Sequence, residues 1–219
     1  MTENVFYRRA KRILAPLFRF FLRIKAVGVE NVPKEGGLVL CSNHIAALDV
    51  ISIGAVCPRQ LTFVAKKELF SVPVLGWVMK KLGAIQVDRG TNDISAIRTS
   101  VTAASNGGVL SIFPQGTRCP GVNPETSPIH SGAAMIAYRS GCNILPVAIK
   151  IKGAKYGFLK RIEVIFGEVI PLESLNITEG TRSEYAEATE RAFKEVCKLC
   201  DYATLPDYVP KRKKKRGRR

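Results

Sequence analysis

A chain of 219 residues, 46% of them hydrophobic, is long enough for one domain with a full core and too apolar to be disordered. Its formal net charge of +16 resembles that of a nucleic-acid binder only until the charges are located: seven Lys or Arg lie in residues 1–25 and eight more in Lys211–Arg219. The body between them, Ala26–Pro210, carries 19 basic against 17 acidic residues, and this near-neutral surface argues against a nucleic-acid partner.

The pattern accordingly predicts an amphipathic segment (1–25), a globular domain (26–210) and a basic tail (211–219) expected to be disordered. In the first segment, Phe6, Ala10, Ile13, Leu14, Leu17, Phe20, Phe21 and Ile24 recur at helical spacing, with arginines on the other side. This pattern predicts a helix lying in an anionic membrane interface, kinked or split at Pro16. A helix packed on its own domain would show a similar stripe. Charges interrupt every window long enough to cross a bilayer.

Short apolar runs then alternate with helical patterns, which predicts an α/β domain with a mixed, mainly parallel sheet of about seven strands flanked by helices. The strands fall at Ile24–Val29, Leu38–Cys41, Leu61–Ala65, Ala84–Val87, Val109–Phe113, Ile144–Ile149 and Ile162–Phe166. The helices fall at Leu48–Val56, Val74–Lys81, Ile94–Ser105, Gly132–Arg139 and Ser183–Tyr202. Six dispersed cysteines and no signal-peptide pattern suggest reduced thiols in a cytoplasmic setting, and Cys197 and Cys200 have no second ligand pair nearby.

Polar clusters follow several strands, where a parallel sheet presents its ligand-binding edge. The stretch Asn43–Asp49 contains one of only two histidines. On a continuous helix, five residues turn the direction by about 140°, so His44 and Asp49 meet only if His44 lies in the turn and Asp49 in the first turns of the next helix. Asp49 then fixes the imidazole tautomer and leaves the other nitrogen free to accept a proton from a hydroxyl. Further on, Gly116 permits close backbone approach, while Thr117 and Arg118 offer a hydroxyl and a bidentate cation; with Lys66 and Arg89 they describe an anion pocket suited to phosphate.

Four blocks in order, Asn43-His44 with Asp49, Gly83 to Arg89, Phe113 to Arg118, and Leu145-Pro146-Val147, resemble those of the 1-acylglycerol-3-phosphate acyltransferases of the glycerolipid acyltransferase family. The resemblance implies a membrane-bound enzyme that moves a fatty acyl group from acyl carrier protein or coenzyme A to lysophosphatidate; the alternatives are an acyltransferase acting on glycerol-3-phosphate or another lysolipid, or an inactive lipid-binding homologue. It implies no resident cofactor or metal, and a site at the cytoplasmic face of the membrane. His44 and Asp49 would be catalytic, and Asn43, Lys66, Arg89, Gln115, Gly116, Thr117, Arg118 and Pro146 would lie at the substrate. The chain departs from the family at Gln115, where glutamate is usual, and at His130, where lysine or another long side chain is common. A neutral amide at Gln115 is expected to leave the charge of Arg118 uncompensated.

Overall fold

A computed structural model describes residues 4–88, 93–157 and 160–209. The elements are α1 (Val5–Phe21), β1 (Ile24–Val27), β2 (Leu38–Ser42), α2 (Leu48–Val56), β3 (Leu61–Lys66), α3 (Pro73–Lys81), β4 (Ile85–Val87), α4 (Ile94–Ser105), β5 (Val109–Ile112), α5 (Gly132–Ser140), β6 (Asn143–Ile151), β7 (Ile162–Phe166) and α6 (Arg182–Cys200). One seven-stranded sheet has the order β1-β7-β6-β2-β5-β3-β4. Every pairing is parallel except β6 with β7.

The central strand β2 is buried at all five positions, as its unbroken apolar run requires between two parallel neighbours and helices on both faces. Leu38 and Leu40 pack with Leu110 of β5 and with Ile144 and Leu145 of β6 in the core. The polar residues that follow emerge at the carboxyl edge shared by β2, β5 and β3. All six cysteines are buried free thiols, and burial pushes Cys41, Cys197 and Cys200 up, Cys197 to about 12. Such thiols are packing groups rather than nucleophiles.

The N-terminal stripe divides between two surroundings. Tyr7 is buried, its hydroxyl accepting the Leu61 N–H at 3.2 Å, and Phe6, Ala10 and Phe18 line an apolar cavity of about 260 Å³ against Val50, Ile51 and Gly54 of α2. Ile13, Leu17, Phe20 and Phe21 remain 49–78% exposed. Pro16 does not split the helix, which runs unbroken from Val5 to Phe21. Pro16 and Arg12 are both exposed, so the carbonyl deprived of its partner can bond to water. Ile24, which the sequence pattern shares between this stripe and the first strand, begins β1 as the strand pattern predicts.

Candidate active site

His44 stands two residues beyond β2, and Asp49 is the second residue of α2. The intervening turn brings them together: His44 Nδ1 lies 2.7 Å from Asp49 Oδ2. The same oxygen accepts the backbone N–H groups of Ile45 at 2.6 Å and Ala46 at 2.8 Å, so the carboxylate organises the turn that presents the histidine. Asp49 is fully buried, whereas 11% of the His44 side chain reaches solvent. A carboxylate that already accepts two N–H groups requires the proton of the pair on Nδ1, which leaves Nε2 as the basic nitrogen.

The other carboxylate oxygen has a partner that no local motif announced. Tyr156, in the loop between β6 and β7, donates its hydroxyl to Asp49 Oδ1 at 2.9 Å and lies 3.2 Å from Ser52 Oγ. Burial first, and then the charge of Asp49, push the phenol up, so it stays protonated and donates.

The turn after β5 holds the histidine from its other side. The His44 N–H donates to Gln115 Oε1 at 2.7 Å, and the His44 carbonyl accepts the Cys119 N–H at 2.8 Å. The ring stacks on Phe113, with centroids 4.3 Å apart and planes inclined by 23°. Both backbone groups and the ring face of His44 are therefore fixed by residues 113–119. Gly116 is required here twice: its φ is +62°, and a Cβ would come within 2.8 Å of His130 Cδ2. His130 is thus a close neighbour of the turn, with its N–H bonded to the Pro114 carbonyl.

Three residues expected at the substrate are placed otherwise. Gln115 is 2% exposed and does not face Arg118: one end of its amide holds His44 and the other donates to Ser127 Oγ at 2.7 Å. Asn43 is also 2% exposed, its amide pairing with both the N–H and the carbonyl of Ile149, so it ties the end of β2 to β6. Pro146 is buried within β6, in register with Cys41, and its carbonyl accepts from Gly167. A strand end demands that its backbone be satisfied before it presents anything, which is why these polar and rigid groups turn inward. Thr117 and Arg118 are exposed on the turn, and Arg118 has no hydrogen bond or ion pair among the described residues. Lys66 ends β3 on the same edge and pairs with Glu68 at 2.5 Å. Arg89 lies outside the described residues. Sequence reasoning missed Tyr156 and Ser127, which approach only through the fold, and gave Phe113 no role although it heads the same block.

Residues 23–150 match the family model named Acyltransferase. The 1-acyl-sn-glycerol-3-phosphate acyltransferase of Bacillus subtilis is 30% identical over 175 residues, spanning 78% of this chain and 85% of that protein. The chain belongs to the acyltransferase family. The enzyme of the same name from Saccharomyces cerevisiae is 29% identical over 93% of this chain and 67% of its own length. The crystal structure of the 1-acyl-sn-glycerophosphate (LPA) acyltransferase from Thermotoga maritima superposes with a TM-score of 0.62 at 22% identity, covering 89% of this chain and 83% of that one; it shares the fold.

Proposed function

We propose that this chain transfers a fatty acyl group from a thioester carrier, acyl carrier protein or coenzyme A, to the free hydroxyl of 1-acylglycerol-3-phosphate, making phosphatidate. The observation that carries the reading is the site's division of labour: a histidine oriented by a buried carboxylate, and on the turn that clamps it an exposed arginine with no partner among the described residues. His44 Nε2 takes the proton of the acceptor hydroxyl as its oxygen attacks the thioester carbon. Collapse of the tetrahedral adduct breaks the carbon–sulfur bond, and the imidazolium returns the proton to the departing thiolate. The new ester forms in this single displacement, without an acyl-enzyme. The thioester supplies the activation, so the reaction calls for no resident cofactor or metal.

Arg118 lies one residue before Cys119, whose N–H holds the His44 carbonyl. A guanidinium there can take the acceptor's phosphate bidentately and bring the hydroxyl to the base, with the Thr117 hydroxyl beside it. The names of the relatives at 29–30% identity support this choice of acceptor.

The enzyme would work at the cytoplasmic face of the cell membrane, bound to one leaflet. No helix among the described residues is long and apolar enough to cross a bilayer. The exposed Ile13, Leu17, Phe20 and Phe21 alongside Arg8, Arg9, Arg12 and Arg19 suit α1 to an anionic interface. To test the reading, the purified chain in mixed micelles is offered lysophosphatidate and competing lysolipids with both carriers, and products are identified by mass spectrometry. Phosphatidate should dominate. Transfer only to another acceptor, or to none, would refute the assignment.

A further inference from the structure

A second stretch of exposed apolar surface lies outside α1. After β3 the chain makes one short 3-10 turn, Lys67–Ser71, and enters α3. Within this stretch Leu69, Val72, Val74, Leu75 and Trp77 are 42–76% exposed. Single exposed hydrophobes are ordinary on a protein surface, but a cluster this dense marks a contact. The cluster is rigid. A Cβ at Gly76 would come within 2.2 Å of the Phe70 carbonyl oxygen, so turn and helix pack too closely for any larger residue.

Three features identify what covers this surface. Exposed lysines bracket it, Lys67 before and Lys80 and Lys81 after; Glu68 and Asp88 at its first turn are paired with Lys66 and Lys67, and α3 itself carries no acidic residue. Phe6 of α1 meets Trp77 edge-on, with centroids 5.6 Å apart, so the cluster continues the apolar face of α1. The cluster also begins where β3 ends, on the same edge of the parallel sheet as His44.

We infer that Leu69–Trp77 is a second lipid-inserting contact, which enters an anionic phospholipid leaflet beside α1. This rests on the membrane-surface reading of α1 and adds to it. One interfacial helix leaves a protein free to roll about the helix axis, whereas a second contact fixes the roll. Here it turns the His44 edge toward the headgroups, the depth at which a lysolipid presents its free hydroxyl. Tryptophan at the boundary suits that position, its ring apolar and its N–H able to reach the headgroups.

Trp77 is the only tryptophan in the chain, so its emission reports directly on this contact. The full chain is mixed with phosphatidylglycerol/phosphatidylcholine vesicles, and flotation, emission maximum and quenching by acyl-chain-brominated lipid are recorded. The inference predicts flotation with a blue-shifted, bromine-quenched emission. It further predicts that Val74→Asp, at a site 76% exposed, lowers vesicle affinity on the order of tenfold without changing thermal unfolding. Flotation with an unshifted, unquenched Trp77 would overturn the inference while leaving α1 as the anchor. Absence of flotation would overturn both readings. A shift produced by acyl carrier protein, or by raising protein concentration without lipid, but not by vesicles, would reassign the surface to a protein partner.

Discussion

Two arginines at opposite ends of the same sheet show how a cation engaged by the backbone differs from one with no partner among the described residues. Arg59 lies just before β3, at the amino edge, and its guanidinium donates to the carbonyls of Pro33, Glu35, Gly36 and Gly107 at 2.6–3.3 Å. It knits together the loops that lead into β2 and β5, and its donors are engaged. Arg118 occupies the turn at the carboxyl edge, exposed, with no partner among the described residues. There the backbone is satisfied by neutral groups instead, Asn43 and Gln115, which leaves the cation available. The same residue type thus closes one end of the sheet and opens the other.

If that contrast is correct, damage to the groups presented at the carboxyl edge should remove chemistry with little effect on folding, whereas damage to the carboxylate buried beneath them should do both. The largest effect is expected for His44→Ala, which should lower turnover on the order of 10⁴-fold and leave thermal unfolding nearly unchanged. Asp49→Asn should lower turnover by about 10²–10³-fold. It should also destabilise the fold, since Asp49 is fully buried and accepts from His44, two backbone N–H groups and Tyr156. A stability loss without an activity loss in Asp49→Asn would make the carboxylate merely a turn organiser.

Tyr156→Phe sharpens the comparison, because it removes one hydrogen bond and keeps the ring. A loss of about tenfold in turnover is expected, with Michaelis constants unchanged. Turnover in Tyr156→Phe equal to that of the wild type would assign Tyr156 to packing alone.

The sequence made the layered α/β architecture and the dyad legible because both are written in local pattern. The buried run Leu38–Cys41, the polar break at Asn43 and the apolar run from Leu48 fall where β2, the turn that carries His44 and α2 form. What remained hidden depends on which strands become neighbours. Asn43 binds Ile149 and Asp49 binds Tyr156, contacts more than a hundred residues apart that arise when the carboxyl end of β2 is set beside β6. Gln115 was expected to act through its missing charge on Arg118, its neighbour in sequence. On this turn its side chain points into the protein while that of Arg118 is exposed, so its neutrality matters through the Ser127 hydroxyl it donates to. The helical period of residues 6–24 likewise could not apportion the apolar stripe between α2 and an external partner.

The most direct test of the claim that Arg118 is the available cation is the ratio of kcat/KM for lysophosphatidate to that for phosphate-free monoacylglycerol, measured in Arg118→Ala and Arg59→Ala. Arg118→Ala should collapse the ratio by about 10–100-fold, chiefly through the Michaelis constant for lysophosphatidate. Arg59→Ala should leave the ratio unchanged while destabilising the fold by about 2 kcal/mol. An unchanged ratio in Arg118→Ala, with equal loss on both acceptors, would contradict the account.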